Sequence, residues 1–172
     1  MTNEEGEIRI YVACLAAYNN GILHGCWINA EQEADDINAA IREMLKASPI
    51  EGAEEWAIHD YEGFEGAHIS EYEGIDQVAE LAAFIAEHGE LGGKLLAYFG
   101  DLETALNVFE HEFIGEYDAT AGFVREFYEQ NHGIPENLEF YIDWQSMAHD
   151  WEINDILALD SGRGSYLLFW SH

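Results

Sequence analysis

The chain has 172 residues, with 35 aspartates and glutamates against 6 lysines and arginines, which gives a formal net charge of -29 and an isoelectric point near 4.2. This charge excludes electrostatic attraction to DNA, RNA or an anionic membrane surface and favours a basic partner. Because 48% of the residues are hydrophobic and 13% are aromatic, the composition also excludes a disordered acidic tail and predicts a folded chain.

The cysteines and the start of the chain bear on the cellular compartment. Cys14 and Cys26 match no CxxC or zinc-ligand spacing. The start, "MTNEEGEIRIYV", is acidic and lacks the apolar segment of a signal peptide, and no run approaches the roughly 18 apolar residues of a membrane span. A reduced, cytoplasmic protein is therefore expected.

The first third of the chain has the pattern of a small β-β-α-β unit. The segment "IRIYVACLAAY" (8–18) predicts a buried strand, and "GCWIN" after the turn "NNG" predicts a second one. Asn29 followed by Gln32 is a capping-box arrangement, so a helix is expected to start there and to end by Pro49. "EEWAIHDYEGF" predicts the third strand. The apolar face of the helix is expected to comprise Ala34, Ile37, Ile41, Met44 and Leu45.

The pattern becomes helical from Glu73 to about Val108. Gly-Gly and Gly-Asp dipeptides are typical of turns and interrupt helices. Interruptions are therefore expected at Gly92-Gly93 and at Gly100-Asp101. The middle of the chain is therefore expected to consist of short helices.

The last third returns to mixed structure. "FIGEYDA" predicts a strand, a helix is expected from Thr120 to Gly133, and Pro135 fits the first position of the next helix. "DILALD" and "SYLLFW", joined by "SGRG", predict a terminal β-hairpin. An apolar stripe at helical spacing precedes the hairpin: Trp144, Met147, Ala148 and Trp151. The element order predicts an α+β fold, and self-repulsion favours an elongated arrangement of small units.

Carboxylates fall in rows on the expected helices. On a helix that turns by 100° per residue, four acids lie within about 60° of one another. Phe84 falls on the same side of this helix, so either a partner or a packed neighbouring segment is expected to cover it. These acids are Glu73, Asp76, Glu80 and Glu87. The same offsets recur at Glu136, Glu139, Asp143 and Asp150, although a break near Trp144 would spoil this second alignment. Solvated helix faces explain single rows, and acids near helix starts, such as Glu31, Glu33 and Asp35, favour the helix dipole without any function.

Solvated faces do not explain the missing counter-charge. Between Lys46 and Lys94 the chain has twelve acids and no lysine or arginine, although opposite charges at i, i+4 stabilise a helix by a few tenths of a kcal/mol. Duplex DNA carries one charge per about 1.7 Å of axis, so a net charge of -29 corresponds to about 50 Å, or about 15 base pairs. These observations indicate a protein that mimics DNA.

Three long segments resemble one known family. "YVACLAAYNNGILHGCWINA" (11–30) looks like the opening of the ArdA antirestriction proteins. "FIGEYDATAGFVREFYEQ" (113–130) and "IPENLEFYIDWQSMAHDWEINDI" (134–156) resemble the family's C-terminal segments, with its Ile-Pro, Tyr-Ile-Asp and Ala-x-Asp-Trp landmarks. The resemblance covers nearly the full length, whereas Cys26 and the acidic leader match no landmark.

The resemblance implies a non-enzymatic inhibitor of type I restriction-modification enzymes, encoded by mobile genetic elements of bacterial hosts. It would mimic bent duplex DNA and occupy the DNA-binding groove of the methyltransferase core. Its partners would be the modification and specificity subunits and a second copy of the chain, with no nucleic acid, membrane, cofactor or metal. The implied architecture is three small domains in a line, with mixed domains at both ends and an acidic, mainly helical middle: 1–61, 62–103 and 104–172.

The same resemblance assigns the expected site residues. "FYEQNHGIPENLEFYID" (127–143) resembles the family's antirestriction motif, expected near the dimer interface. Its candidate residues are Phe127, Tyr128, Ile134, Pro135, Leu138 and Tyr141. The acidic surface that would stand in for DNA is expected to comprise Asp60, Glu62, Glu65, Glu71, Glu73, Asp76, Glu80, Glu87, Glu90, Asp101, Glu103, Glu110, Glu112, Glu116, Asp118, Glu129, Glu136, Glu139 and Asp150.

Other functions fit the residues less well. The chain has no GxSxG, P-loop, GxGxxG or HExxH pattern. "DYEGFEGAHISE" (60–71) has the length of a calcium loop but has Glu65 where the invariant glycine belongs. A salt-adapted protein and an acidic adaptor for another basic nucleic-acid-binding protein stay open as alternatives.

Overall fold

A computed structural model of the protein describes residues 6–171 and leaves residues 1–5 and His172 undescribed. The expectation that the chain has no signal peptide refers to its acidic start. This segment lies largely outside the described residues. Residues 6–102 form one compact unit and residues 103–171 form a second. The division of the chain into three domains stays a prediction.

The first unit contains a three-stranded antiparallel sheet in the order β2-β1-β3. Ile10 and Val12 of the central strand are fully buried, because alternate side chains of a strand point to the same face. The second and third predicted strands are confirmed. The strands are β1 (Arg9–Cys14), β2 (Gly25–Asn29) and β3 (Trp56–Glu62).

The chain leaves the sheet earlier than predicted. Strand β1 ends at Cys14 and the short helix α1 (Leu15–Asn19) follows, so the prediction of one strand over 8–18 is wrong beyond Cys14. Leucine and alanine have high helix propensity, and Ala17 is fully buried. The turn towards β2 passes through Gly21 at a φ of 74°, a conformation that glycine adopts without steric cost.

Helix α2 (Ala34–Lys46) packs against β1 and β2. It begins later than predicted, because the Asn29 side chain accepts a hydrogen bond from the Glu31 N–H at 2.7 Å and forms a turn before the helix. Its predicted end before Pro49 is confirmed, since the residue preceding a proline is disfavoured in helical conformation. The buried residues of its apolar face are Ile37, Ile41 and Met44.

Helix α3 (Ile75–Phe99) is interrupted at Gly89, whose φ of 59° and ψ of -139° are not helical. The expected break at Gly92-Gly93 is wrong, because both residues lie inside the helix and are buried. A Cβ at Gly93 would overlap the backbone of Glu65, so this glycine permits close packing rather than a break. The break at Gly100 is confirmed, with a φ of 76° at the helix end.

Phe84 of α3 is a core residue with an exposed fraction of 4%. Its ring lies 4.7 Å from the His88 ring, and a Cβ at Gly92 would lie 3.2 Å from its Cε1 atom. The helix therefore covers Phe84 with residues just before and after its own interruption at Gly89. The interpretation of Phe84 as a contact to a partner is wrong.

Helix α4 (Leu102–Glu112) lies in the second unit except for its first residue, and this unit contains a second antiparallel sheet, in the order β4-β6-β5. The predicted hairpin is confirmed, with Leu157 opposite Phe169 and Leu159 opposite Leu167. Pro135, which was predicted at the first position of a helix, is instead the N-cap residue of the helix that begins at Glu136. The remaining elements are β4 (Phe113–Tyr117), α5 (Thr120–Asn131), α6 (Glu136–Glu139), α7 (Trp144–Asn154), β5 (Ile156–Asp160) and β6 (Tyr166–Trp170).

An aromatic core joins α5 and α7 to this sheet. Ala148 of α7 is buried, and the other members of the predicted apolar stripe pack against the same core, which confirms the stripe. The Trp151 ring lies 5.3 Å from Phe127 and 6.0 Å from Trp170. Such aromatic pairs contribute about 0.5–1.5 kcal/mol beyond the burial of their area.

The described residues form seven helices and two small three-stranded antiparallel sheets, which confirms the α+β class. No helix in this part of the chain is long and apolar enough to cross a membrane.

Candidate acidic binding surface

Most of the acids expected to form the binding surface have exposed side chains. They occur in both units, from the end of β3 to α7, and three of them are half-buried: Glu73, Glu112 and Glu139. The exposed ones are Asp60, Glu62, Glu65, Glu71, Asp76, Glu80, Glu87, Glu90, Asp101, Glu103, Glu110, Glu116, Asp118, Glu129, Glu136 and Asp150.

Lysine and arginine are too few to neutralise the carboxylates, since the chain has 6 of them against 35 acids. Within residues 6–171, four of the 6 form ion pairs with nearby glutamates. The pairs are Arg9 with Glu62 at 2.7 Å, Lys46 with Glu43 at 2.9 Å, Lys94 with Glu90 at 3.9 Å, and Arg125 with Glu129 at 2.8 Å and with Glu139. His59 and His88 add contacts to Glu71 and Glu87.

Several of the predicted acids form no side-chain hydrogen bond or ion pair with any residue in the described part of the chain. Their charges are compensated only by solvent and dissolved ions, which screen exposed charges beyond about 10 Å at ordinary ionic strength. These acids are Glu65, Asp76, Glu80, Glu103, Glu110, Asp118, Glu136 and Asp150.

The first predicted row of acids lies mainly on α3. Asp76, Glu80 and Glu87 are exposed on one side of the helix before its interruption, at about 6 and 10 Å of axial rise from one to the next. Glu73 precedes the helix and accepts a hydrogen bond from the Ser70 N–H at 3.2 Å. The row therefore comprises three helical acids.

The second predicted row is not on one helix, so this alignment is wrong. Helix α6 ends at Glu139 and α7 begins at Trp144, with Asp143 as its N-cap. Asp143 accepts hydrogen bonds from the Ser146 N–H at 3.0 Å and the Ser146 hydroxyl at 2.8 Å. These bonds favour the charged form and hold the pKa of Asp143 below its usual value.

A groove of about 710 Å³ lies beside the α3 row and was not predicted. One wall carries Glu31 and Glu33, which precede α2, and the other carries the three acids of the α3 row. Four alanines of the two helices also line it, so we call it the alanine groove; they are Ala34, Ala79, Ala83 and Ala86. The turning angle of α3 places Ala83 next to the acids but places Ala86 towards the opposite side, and Glu31 and Glu33 were explained by the helix dipole alone.

The candidate interface residues divide into buried and exposed groups. Phe127 and Tyr128 pack against the core of the second unit, and Ile134 is half-buried. Pro135 is exposed, whereas Leu138 and Tyr141 have exposed fractions of 50% and 80%. Phe140, which lies between them in sequence, is 90% exposed. An apolar patch, defined as Leu138, Phe140 and Tyr141, therefore reaches solvent between α6 and α7.

The cysteines and other polar side chains form no metal centre in residues 6–171. No group of three or more His, Cys, Asp or Glu side chains is arranged to hold a metal ion there. Cys14 is buried and Cys26 is half-buried, and both are free. Burial raises the pKa of the Cys26 thiol, which keeps it protonated at neutral pH.

Comparison with known families identifies the chain. The family model described as "Antirestriction protein (ArdA)" matches residues 10–163, which is most of the 172 residues. The chain belongs to the ArdA antirestriction protein family, and its function is antirestriction, directed at restriction enzymes. This is not a known family of enzymes. No curated protein matches the chain.

Proposed function

We propose that the protein mimics bent duplex DNA and inhibits type I restriction-modification enzymes by occupying the DNA-binding groove of their methyltransferase core. The observation that carries the proposal is the exposed acidic surface without counter-charge, on which Asp76, Glu80 and other acids have no basic partner in the described chain. A groove that binds DNA presents lysines and arginines to phosphates, and carboxylates offer the same charge.

Electrostatic attraction speeds the association of the inhibitor with the enzyme. It also allows one inhibitor to act on enzymes that recognise different DNA sequences. Oppositely charged surfaces raise association rates by factors of about 10 to 1,000. Contacts to phosphates position DNA without reading its sequence. An inhibitor that replaces phosphates therefore blocks modification and specificity subunits that recognise different DNA sequences. The proposed setting is the cytoplasm of a bacterial host that carries a mobile genetic element.

We further propose that two copies of the chain form a homodimer through the apolar patch of the second unit. Phe140 and Tyr141 expose most of their surface, although burial of an aromatic side chain of this size stabilises a folded protein by about 1.5–3 kcal/mol. Aromatic residues are enriched in the centre of protein interfaces. A dimer would double the length of DNA that the acidic surface replaces.

The proposed function is tested by DNA displacement. A type I modification methyltransferase is bound to a fluorescent duplex containing its recognition site, and the purified protein is added at 50 mM and at 200 mM salt. We expect stoichiometric displacement at low salt that weakens at high salt, because ion pairs to the enzyme are screened. An unlabelled duplex with the same site is the positive control.

Absence of displacement at low salt, with the protein folded and the enzyme active on DNA, would contradict the proposed inhibition of that enzyme. Displacement that is independent of salt would contradict the electrostatic mechanism while leaving antirestriction intact.

A further inference from the structure

We infer that Arg125 is a positioning residue for the proposed dimer, because it holds the apolar patch in the orientation that a second copy of the chain meets. The inference rests on the proposed homodimer and goes beyond it by naming a residue outside the patch. The patch belongs to residues 132–143, which join α5 to α7 and which we call the connecting segment. Whatever fixes the connecting segment also fixes the patch.

The connecting segment is held weakly by packing. None of its residues is buried, and only Ile134, Glu139 and Ile142 are half-buried. Its helix α6 has four residues, and none of them is buried. An element with few buried apolar contacts opens at a low cost in free energy. Burial alone therefore leaves the direction of the patch side chains loosely determined.

An ion pair ties the connecting segment to α5. The Arg125 guanidinium donates a hydrogen bond from Nη2 to the Glu139 carboxylate. In the described part of the chain, the other hydrogen bonds of residues 133–142 are turns within the connecting segment. Glu139 directly precedes Phe140 in the sequence. The ion pair therefore acts beside the patch, at the point where packing provides little restraint.

Arginine suits this position because its guanidinium carries several donors in a fixed fork. Arg125 donates from Nε to the Glu129 carboxylate at 2.8 Å, one turn further along α5, and from Nη2 to Glu139. Glu129 thereby orients the guanidinium towards the connecting segment. Arg163 is the only other lysine or arginine in residues 103–172, and it lies between β5 and β6.

Without the guanidinium, the same contact becomes repulsive. Glu129 and Glu139 each lie within ion-pair distance of the Arg125 guanidinium, so their carboxylates are close to each other. Like charges at short distance repel. Loss of Arg125 would push the connecting segment away from α5, and fewer molecules would present the patch in the dimer-forming orientation. The apparent dissociation constant of the dimer rises as that fraction falls.

Neutralising Glu139 tests the inference through the sign of its effect. Glu139→Gln makes each copy less negative, which by self-repulsion alone would tighten the dimer. We expect it instead to raise the dissociation constant about threefold, since the dimer contains the lost contact twice. Glu152→Gln makes the same charge change at an exposed position of α7 outside the proposed acidic surface, and should not raise the constant. Analytical ultracentrifugation at one salt concentration measures both.

Neutralising Arg125 should have the larger effect. Arg125→Gln is expected to raise the dissociation constant about tenfold, because it also leaves Glu139 facing Glu129. Arg163→Gln is the control for the lost positive charge and should stay within about twofold of the natural chain. Adding Glu139→Gln to Arg125→Gln removes the repulsion and should return the constant to that of Glu139→Gln alone. A general loss of stability in the second unit would give no such rescue.

Amide hydrogen exchange tests the position of the connecting segment without the dimer. It is measured on the monomer, below the dissociation constant, by mass spectrometry of peptides from residues 132–143. We expect exchange at least about threefold faster in Arg125→Gln than in the natural chain, with no change in the hairpin of β5 and β6. Circular dichroism and thermal unfolding check that all variants are folded.

Each result decides the inference. If the natural chain dimerises but Glu139→Gln and Arg125→Gln have the dissociation constants of their controls, positioning by Arg125 is refuted and the dimer stands. If the natural chain is monomeric at high micromolar concentration, the dimer and the inference both fail. A raised constant without faster exchange of the connecting segment would show direct contact of Arg125 with the second copy and would overturn the positioning role.

Discussion

Asp143 contributes to stability through the hydrogen bonds that cap α7. Its carboxylate accepts bonds from the backbone and hydroxyl of Ser146, and its pKa is lowered from an ordinary value of 3.8. Because the folded pKa is the lower one, the cap stabilises the fold above the ordinary value, and this contribution is lost as the pH falls through the folded pKa. We therefore expect Asp143→Ala to lower the melting temperature at pH 7.

The difference between Asp143→Ala and the natural chain should shrink as the pH falls below 4, in thermal unfolding at a series of pH values. Asp150→Ala is the matched control, because it removes one exposed carboxylate whose side chain has no hydrogen bond within the described chain. A difference that stays constant between pH 7 and pH 3 would contradict the capping role.

Phe84 and Phe140 are the same residue type in opposite environments. Phe84 is 4% exposed and Phe140 is 90% exposed. Phe84→Ala should lower the free energy of unfolding by about 3–5 kcal/mol, because it leaves a cavity beside the part of α3 that follows Gly89. Phe140→Ala should change the stability of the monomer by less than about 0.5 kcal/mol. Urea unfolding of the two variants measures both values, and equal losses would refute this assignment.

At the scale of an element, Gly89 determines the path of α3. Its φ of 59° with a ψ of -139° is a conformation that side chains other than hydrogen adopt only with strain. We expect Gly89→Ala to lower the free energy of unfolding by about 1–3 kcal/mol. The same substitution at Gly122, which is exposed in α5 and has open space around it, should raise stability by about 0.5–1 kcal/mol.

Calorimetry of the two glycine variants gives the signs directly. Stabilisation by Gly89→Ala would mean that α3 continues through this position in solution, and the burial of Phe84 by the later part of the helix would then need another explanation.

Elements whose pattern depends on their own residues could be predicted from the sequence. The burial of Ile37, Ile41 and Met44 and the terminal hairpin follow from local spacing and turn residues. The interruption of α3 could not, because Gly92 and Gly93 look like the better break until the packing of Phe84 and Glu65 against them is known. The exposed acids could be identified from the sequence. The alanine groove could not, because it depends on which other segment of the chain packs beside α3.

At the scale of the whole molecule, the net charge of -29 makes the folded state sensitive to salt. Self-repulsion opposes compact structure and is screened by ions. We expect the melting temperature to rise by at least about 3 °C between 10 mM and 500 mM NaCl. A chain that is unfolded at 10 mM salt would instead support the alternative of a salt-adapted protein, so displacement activity at low salt is the decisive companion measurement.

The apolar patch predicts how the assembly responds to substitution. Replacing Phe140 and Tyr141 together by alanine should raise the dissociation constant of the proposed dimer at least about tenfold in analytical ultracentrifugation. Tyr72→Ala removes another exposed aromatic side chain, in the first unit, and should leave the constant unchanged. A natural chain that is monomeric at high micromolar concentration would contradict the dimer itself.

The chain has no lysine or arginine between Lys46 and Lys94, a stretch that contains β3 and most of α3. Trypsin cleaves only after lysine and arginine, so it has no cleavage site between Lys46 and Lys94. Tryptic footprinting therefore has no cleavage site in the part of α3 that carries the acid row and lines the alanine groove. A glutamate-specific protease, by contrast, has sites at Glu80 and Glu87 and turns the same carboxylates into reporters of whether a bound enzyme shields them.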